Sequence, residues 1–213
     1  MRIEYASYAQ MKYACKHWHY SKSVPTGKTV KFAVYEDDRF RGVVVYGSGS
    51  NNRIGIPYGL KQGEAVELVR VALRSHKTSV TRIIAITLKM LRKDFPGVKL
   101  VISYADIDQN HLGKIYQAGN WVYEGVKDRG GKGAFIIHGK KIHSRSLNAK
   151  FGTGSQRISW VRENLDPNAD FFVTQGKHKY LYALDKTVKR NILEIGQEYP
   201  KAQPPAPDNA SIV

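Results

Sequence analysis

ELVRVALRSHKTSVTRIIAITLKML, residues 67–91, changes its apolar period partway along. Glu67, Val69, Val71 and Leu73 alternate with Leu68, Arg70 and Ala72, the period-two pattern of a strand. From about 78 to 93 the spacing becomes helical. Val80, Ile83, Ile84, Thr87, Leu88 and Leu91 form one largely apolar stripe, and Phe95-Pro96-Gly97 ends it. The chain continues as VKLVISYADIDQNHLGKIYQAGNWVYEG, residues 98–125. Its VKLVISYAD portion is the near-continuous apolar run of a strand covered on both faces. Asn110 is placed to cap a short helix with Leu112, Ile115 and Tyr116 on its inner face and Gly119 as its stop. WVYEG is then a strand.

Upstream, MRIEY is expected as a first strand and residues 8–18 as a helix, with Met11, Ala14, Cys15 and Trp18 at helical spacing. Pro25 and Gly27 mark a loop. KFAVYEDDRFRGVVVYGSGS, residues 31–50, is expected as two strands joined by a turn at Glu36–Arg39, and residues 47–63 as a long Gly- and Asn-rich loop. Downstream, residues 126–178 form a basic segment with a hairpin at AFIIHGKKIH, and KYLYAL is a closing strand. This order gives an α/β (α+β) mixed sheet with helices on both faces. It predicts one domain over 1–199 that contains the basic insertion at about 126–178. A disordered tail over 200–213 follows, carrying Pro204, Pro205 and Pro207.

Lys and Arg number 34 against 18 acidic residues, a formal charge of +16 and a pI near 9.8. Such an excess draws polyanions, of which DNA and RNA are the usual ones. The 42% hydrophobic content excludes a disordered polycation. Cys15 is the one cysteine, which excludes an internal disulfide, disfavours a cysteine zinc site and suits a reducing cytoplasm. No apolar run reaches membrane-spanning length and MRIEYASYAQ lacks a signal pattern; a host-cell cytoplasmic location is expected.

The strand–helix–strand–helix order ending in IYQAGNW resembles the Gcn5-related N-acetyltransferase fold. That fold implies two neighbouring central strands that splay apart to admit an acyl donor. CKHWHYSKSVPTGKTVKFAVYEDDRFRGVVVYG (15–47), with ELVRV, YADIDQNHLGKIYQAGNW and HGKKIHSRSLNAKFG, is similar to the Mom family of phage DNA-modification proteins over roughly residues 10–185. That resemblance implies adenine carrying a carbamoylmethyl group on N6 and protection of phage DNA from restriction. The chain departs from the acetyltransferase pattern at RSHKTSV, where a Gly-rich turn would cradle the pyrophosphate of coenzyme A. Without glycine the backbone approaches a phosphate less closely. Ser75, Thr78, Ser79 and the helix start remain candidates for holding a phosphate in another way.

Tyr116 is placed where related acetyltransferases carry a general-acid tyrosine; packing beside Leu112 and Ile115 is the rival role. Asp106, just past the apolar strand at the edge where α/β sheets gather ligands, is a candidate acceptor for an amine proton or a turn aspartate. Arg70, in a buried-looking strand, needs a partner: a phosphate, a carboxylate, or Glu67, although strict alternation points Glu67 away. His19 and Tyr20 match the family's HY pair. His17 and His19 form a metal site, with iron in mind, only if the helix has ended by Trp18. Ser21, Lys22 and Ser23 are loop candidates to line a donor or DNA groove, and Tyr35 and Tyr46 are aromatic candidates to stack on an extruded base. In the basic segment Lys127, Arg129, Lys132, Lys140, Lys141, Arg145, Lys150, Arg157 and Arg162 outnumber Asp128. His143, Arg145, Ser146, Lys150, Lys140 and Lys141 are the chosen DNA contacts, which position without reading sequence.

The expected enzyme extrudes its adenine or uses unpaired DNA. The expected donor is glycyl-tRNA, with a coenzyme A thioester and an iron-assisted reaction as competitors. A coenzyme A-dependent N-acetyltransferase of a protein or small amine, and a non-catalytic DNA-binding protein, are the alternatives.

Overall fold

A computed structural model describes residues 1–49, 51–128 and 133–201. In chain order the elements are β1 (Arg2–Tyr5), α1 (Tyr8–Trp18), β2 (Thr29–Glu36), β3 (Arg39–Gly47), β4 (Ala65–Leu73), α2 (Val80–Asp94), β5 (Leu100–Asp106), α3 (Lys114–Gln117) and β6 (Val122–Lys127). Then come β7 (Ala134–Ile137), β8 (Lys140–His143), α4 (Ser144–Phe151), α5 (Ile158–Asn164), β9 (Asp170–Phe172), β10 (Lys177–Ala183) and α6 (Lys186–Glu194). Single 3-10 turns sit at Ile56–Tyr58 and Ile107–Gln109. The chain divides into two compact units: Met1–Tyr104 with Leu112–Gly125 and the chain from Lys179 onward, and Ala105–His111 with Val126–His178.

The first unit is built on a mixed sheet in the order β1-β2-β3-β4-β5-β10-β6. Neighbours are antiparallel from β1 to β4, and β4 pairs with β5 in parallel, with α2 as the crossover. Alternation along β2 and β3 sends Ala33, Val43 and Val45 to one face, where Met11, Ala14 and Cys15 of α1 cover them. Phe32 and Tyr46 point to the other face, edge to face at 6.1 Å, and the Tyr46 hydroxyl is 2.7 Å from Thr87 on α2. Helices therefore cover both faces, as the sequence predicts. Ile83 and Leu91 of α2 are fully buried, and removing such a side chain costs about 2–5 kcal/mol.

Three local expectations are corrected. A β-bulge breaks the alternation of β4: Val45 opposes Arg70 but Tyr46 opposes Leu68, so Val69 is an extra residue. Cross-strand partners share a face. Arg70 and Ala72 thus stand on the α1 side, Leu68 stands on the α2 side, and Glu67, opposite Gly47, returns to the side of Arg70. Asn110 is not a helix N-cap. It closes the 3-10 turn in a left-handed conformation, φ 55°, and α3 starts only after Gly113. Gly113 is forced by close approach as well as by its φ of 72°: a Cβ there would lie 2.4 Å from the Tyr180 ring. Leu112 precedes the helix and α3 ends at Gln117, two residues before Gly119. Finally, α4, α5, α6 and β9 stand where the sequence pattern announces no element.

In the second unit β7 pairs with β8 and β9 in a three-stranded antiparallel sheet. The predicted hairpin turns at His138-Gly139, both with positive φ. Phe135 and Ile137 pack with Leu147 of α4, Val161 of α5 and Ala169. Asp108 is the polar anchor, accepting from the Lys141 ammonium at 2.6 Å and the Gln175 N–H at 3.0 Å. Among the described residues no helix is long and apolar enough to cross a membrane. Arg129, Lys132 and the prolines 204, 205 and 207 lie outside the described residues.

Candidate functional site

Parallel pairing between β4 and β5 holds only over Ala65, Val66 and Glu67 against Leu100, Val101 and Ile102. Beyond that point the strands part, which is the splay implied by the acetyltransferase resemblance. A side chain takes over where the ladder stops. Ser103 Oγ lies 3.2 Å from the carbonyl oxygen of Leu68 and 2.8 Å from the hydroxyl of Tyr116. A phenol is thereby fixed at the parting of the strands.

Tyr116 is 7% exposed, and its ring lies 5.1 Å from both Trp121 and Tyr180. It is part of the packing and also polar at its tip, so the two roles weighed from sequence are compatible. Burial pushes its pKa up to about 12, Ser103 opposes this, and Tyr20, Glu67 and Tyr180 add to the rise. A phenol with a raised pKa keeps its proton at neutral pH. It is suited to give a proton or a hydrogen bond to a developing oxyanion, and unsuited to act as a base.

The bulge aims Arg70 past the end of α1. Its guanidinium donates to the Ser23 carbonyl at 3.3 Å, to Ser23 Oγ at 2.7 Å and to the Val69 carbonyl at 2.5 Å. The hydroxyl row continues from Ser23 Oγ to Ser21 Oγ at 3.1 Å and on to His19 Nδ1 at 2.8 Å. The Ser21 N–H also points at Nδ1, at 3.2 Å, so that nitrogen is an acceptor and a neutral imidazole carries its proton on Nε2. Lys22, in a left-handed conformation, donates to the His17 carbonyl at 2.9 Å and closes the helix end. Tyr20 stacks on His19 at 4.5 Å and stays 54% exposed. The loop 19–23 is thus a hydroxyl-rich rim held by one arginine.

A residue that sequence reading passes over governs the other loop. Glu36, at the end of β2, is 4% exposed. Its carboxylate accepts from the backbone N–H groups of Lys77 at 2.6 Å and Thr78 at 2.8 Å. The Thr78 side chain, followed by these two N–H groups, lowers its pKa to about 2. These donors belong to the RSHKTSV turn, where the acetyltransferase pattern would hold a pyrophosphate. Ser79 is engaged as well, capping α2 through the Arg82 N–H at 3.4 Å. Ser75 is exposed in a left-handed conformation, φ 50°. Thr78 and Ser79 thus have internal partners already: the protein's own carboxylate and the helix cap use those groups. The absent glycine was the available signal, since a turn closed on an internal carboxylate needs no open approach.

Asp106 belongs to the second unit, where its side chain accepts from the Asp108 N–H at 3.1 Å and starts the 3-10 turn. Of the chosen DNA contacts there, Lys140, Arg145, Ser146 and Lys150 are exposed. Two others have internal duties. Lys141 bonds Asp108 and lies 3.9 Å over the Phe172 ring. His143 caps α4, its Nδ1 accepting from the Arg145 N–H at 3.2 Å. Burial, followed by the nearby Arg145, Lys177 and Lys141 cations, lowers the His143 pKa.

Tyr46 is 0% exposed and Tyr35 takes a hydrogen bond from Gln10, with Arg2 over its ring; neither is open to an extruded base. Among the described residues no group of three His, Cys, Asp or Glu side chains stands together to hold a metal ion. His17 stacks on Tyr13 at 4.5 Å, and His19 Nδ1 faces Ser21.

Solved structures similar to this one include an aminoglycoside 6′-acetyltransferase of type Ii, at 11% identity and TM-score 0.49, over 87% of this chain and 98% of that one. A spermidine N-acetyltransferase from Vibrio cholerae is similar at 9% identity and TM-score 0.48, over 89% of this chain and 99% of that one. In sequence, the methylcarbamoylase mom of Escherichia phage Mu is 26% identical over 190 residues, covering 86% of this chain and 76% of that protein. The model of the Mom protein family matches residues 1–201, and the chain belongs to that family.

Proposed function

We propose that this protein is a DNA-modifying transferase that places a glycine-derived carbamoylmethyl group on adenine N6, so that restriction enzymes no longer cut. Family membership and the methylcarbamoylase name of the phage Mu relative support the chemistry. The observation that carries the reading is the protonated Tyr116 phenol fixed by Ser103 where β4 and β5 part. In the same unit the 75–79 turn has its Lys77 and Thr78 N–H groups filled by Glu36. A donor held through its pyrophosphate at that turn would have to displace a buried carboxylate. This favours a glycyl ester such as glycyl-tRNA over a coenzyme A thioester, and the +16 charge suits a polyanionic donor.

The adenine N6 amine attacks the ester carbonyl. The C–N bond forms, the C–O bond breaks, the amine gives up one proton, and the leaving ribose oxygen takes one from Tyr116. Solvent takes the amine proton; Asp106, the acceptor the sequence suggests, belongs to the second unit. The glycyl amine then attacks C6, and the bond from C6 to the original nitrogen breaks. This isomerisation loses no atoms and leaves a CH2–CO–NH2 group on the new N6. Extrusion of the base, or use of unpaired DNA, precedes these steps. Exposed Lys140, Arg145, Ser146 and Lys150 hold the DNA backbone.

The test is mass spectrometry of nucleosides from DNA of cells that express the protein, beside Tyr116→Phe and Asp106→Ala. The expected result is a carbamoylmethyl-adenine nucleoside, lost in the Tyr116→Phe control. Unmodified DNA in cells that hold folded protein and charged glycyl-tRNA overturns the reading.

A further inference from the structure

We propose that the outer face of α1 is a stacking platform for an unpaired DNA strand leading to Tyr20. The inference rests on DNA being the substrate and adds a second contact surface, in the first unit. No acidic residue occurs between Glu4 and Glu36, a stretch that carries four lysines besides Lys31. Within it α1 has two unlike faces. Met11, Ala14 and Cys15 are buried at 0–1% exposure against the sheet. The opposite face presents Lys12, Tyr13, Lys16 and His17 to solvent.

Large rings stand open on that face and just beyond the end of α1. Tyr8 is 61% exposed, Tyr13 51% and Tyr20 54%. Tyr13 lies 4.5 Å from His17 and edge-on to Trp18 at 5.3 Å. Aromatic side chains left this open are commonly contact surface rather than core. Lysines with no neighbouring carboxylate suit a polyanion. Rings interleaved with lysines suit a single strand, because its bases have free faces to stack while its phosphates meet the ammonium groups. A duplex hides those base faces and would use the lysines alone. The row also has a direction. It ends at Tyr20, in the loop 19–23 that Arg70 of β4 holds through Ser23. A strand laid along α1 is thereby brought toward the parted strands.

The experiment is fluorescence anisotropy of purified protein with a labelled oligothymidylate, a duplex hairpin and an oligouridylate, with no donor present. Tyr13→Ala is expected to weaken oligothymidylate binding about tenfold, while Tyr13→Phe, which keeps the ring, binds like the parent. Lys12→Glu with Lys16→Glu weakens it further and lowers the salt slope by about 1.4. Circular dichroism checks that each variant is folded. Equal binding by Tyr13→Ala and the parent overturns the platform. Preference for oligouridylate over oligothymidylate overturns its assignment to DNA. Neither readout requires modified adenine, so loss of the platform and loss of the proposed chemistry are separable.

Discussion

Two loops of the sheet unit use opposite means to hold their shape. The turn 75–79 is closed by charge, with Glu36 on the N–H groups of Lys77 and Thr78 and nothing left facing outward from them. The loop 19–23 is held by one cation, with Arg70 on Ser23 and a row of hydroxyls running to His19. The first takes backbone donors out of use. The second is built from side-chain hydroxyls and an imidazole nitrogen. In the proposed reading, recognition rests on side chains rather than backbone amides, and the glycine-free turn is its sequence trace.

That contrast can be broken at four points, in descending order of effect. Tyr116→Phe removes the phenolic proton and should lower modified nucleoside by about 10²–10⁴-fold, with an unchanged circular dichroism spectrum. Arg70→Lys keeps the charge and loses the fork that spans Ser23 and Val69. Activity should fall by roughly 10–100-fold, in line with hydrogen bonds to a charged group, and proteolysis should begin within 19–23. Glu36→Gln should leave coenzyme A unbound by calorimetry and lower Tm at pH 7 by roughly 3–6 °C. Its pH signature follows from sign. The folded pKa is depressed to about 2, so the carboxylate stabilises the fold above its ordinary range. That contribution fades as pH drops from about 4.5 toward 2, and thermal melts of Glu36→Gln should lack the slope. Ser21→Ala interrupts the hydroxyl row but leaves the Ser21 N–H on His19, so the loss of activity should be only about two- to fivefold, the worth of one partly exposed hydrogen bond.

Much of the architecture was legible because it follows from period. The change at residues 67–91 from alternation to a helical stripe gives β4 and α2, and the apolar run at 98–106 gives β5. The bulge at Val69 was not legible, since period alone does not say which residue of a strand is extra, and with it went the true side of Arg70 and Glu67. Asn110 reads as a cap because Asn serves both caps and left-handed turns, and only the contact of Gly113 with Tyr180 decides between them. SRSLNAKF has just Leu147 at its centre to announce a helix, so α4 reads as a loop. Glu36 sits beside Asp37 and Asp38, where an acidic residue reads as turn chemistry. Its partners lie about 40 residues away, beyond any local pattern. Tyr116 was nameable, but its hold on Ser103 required the fold.

Cys15, the single cysteine of the chain, lies sealed under α1 at 0% exposure, and burial pushes its thiol pKa up. A disulfide reagent can reach it only when that helix lifts from the sheet. When closing outpaces labelling, the rate of thiol capture measures the fraction of time the helix is lifted. The native protein thus carries its own gauge of local opening, and any strand that settles on the outer face of α1 should slow the reading in proportion to its occupancy.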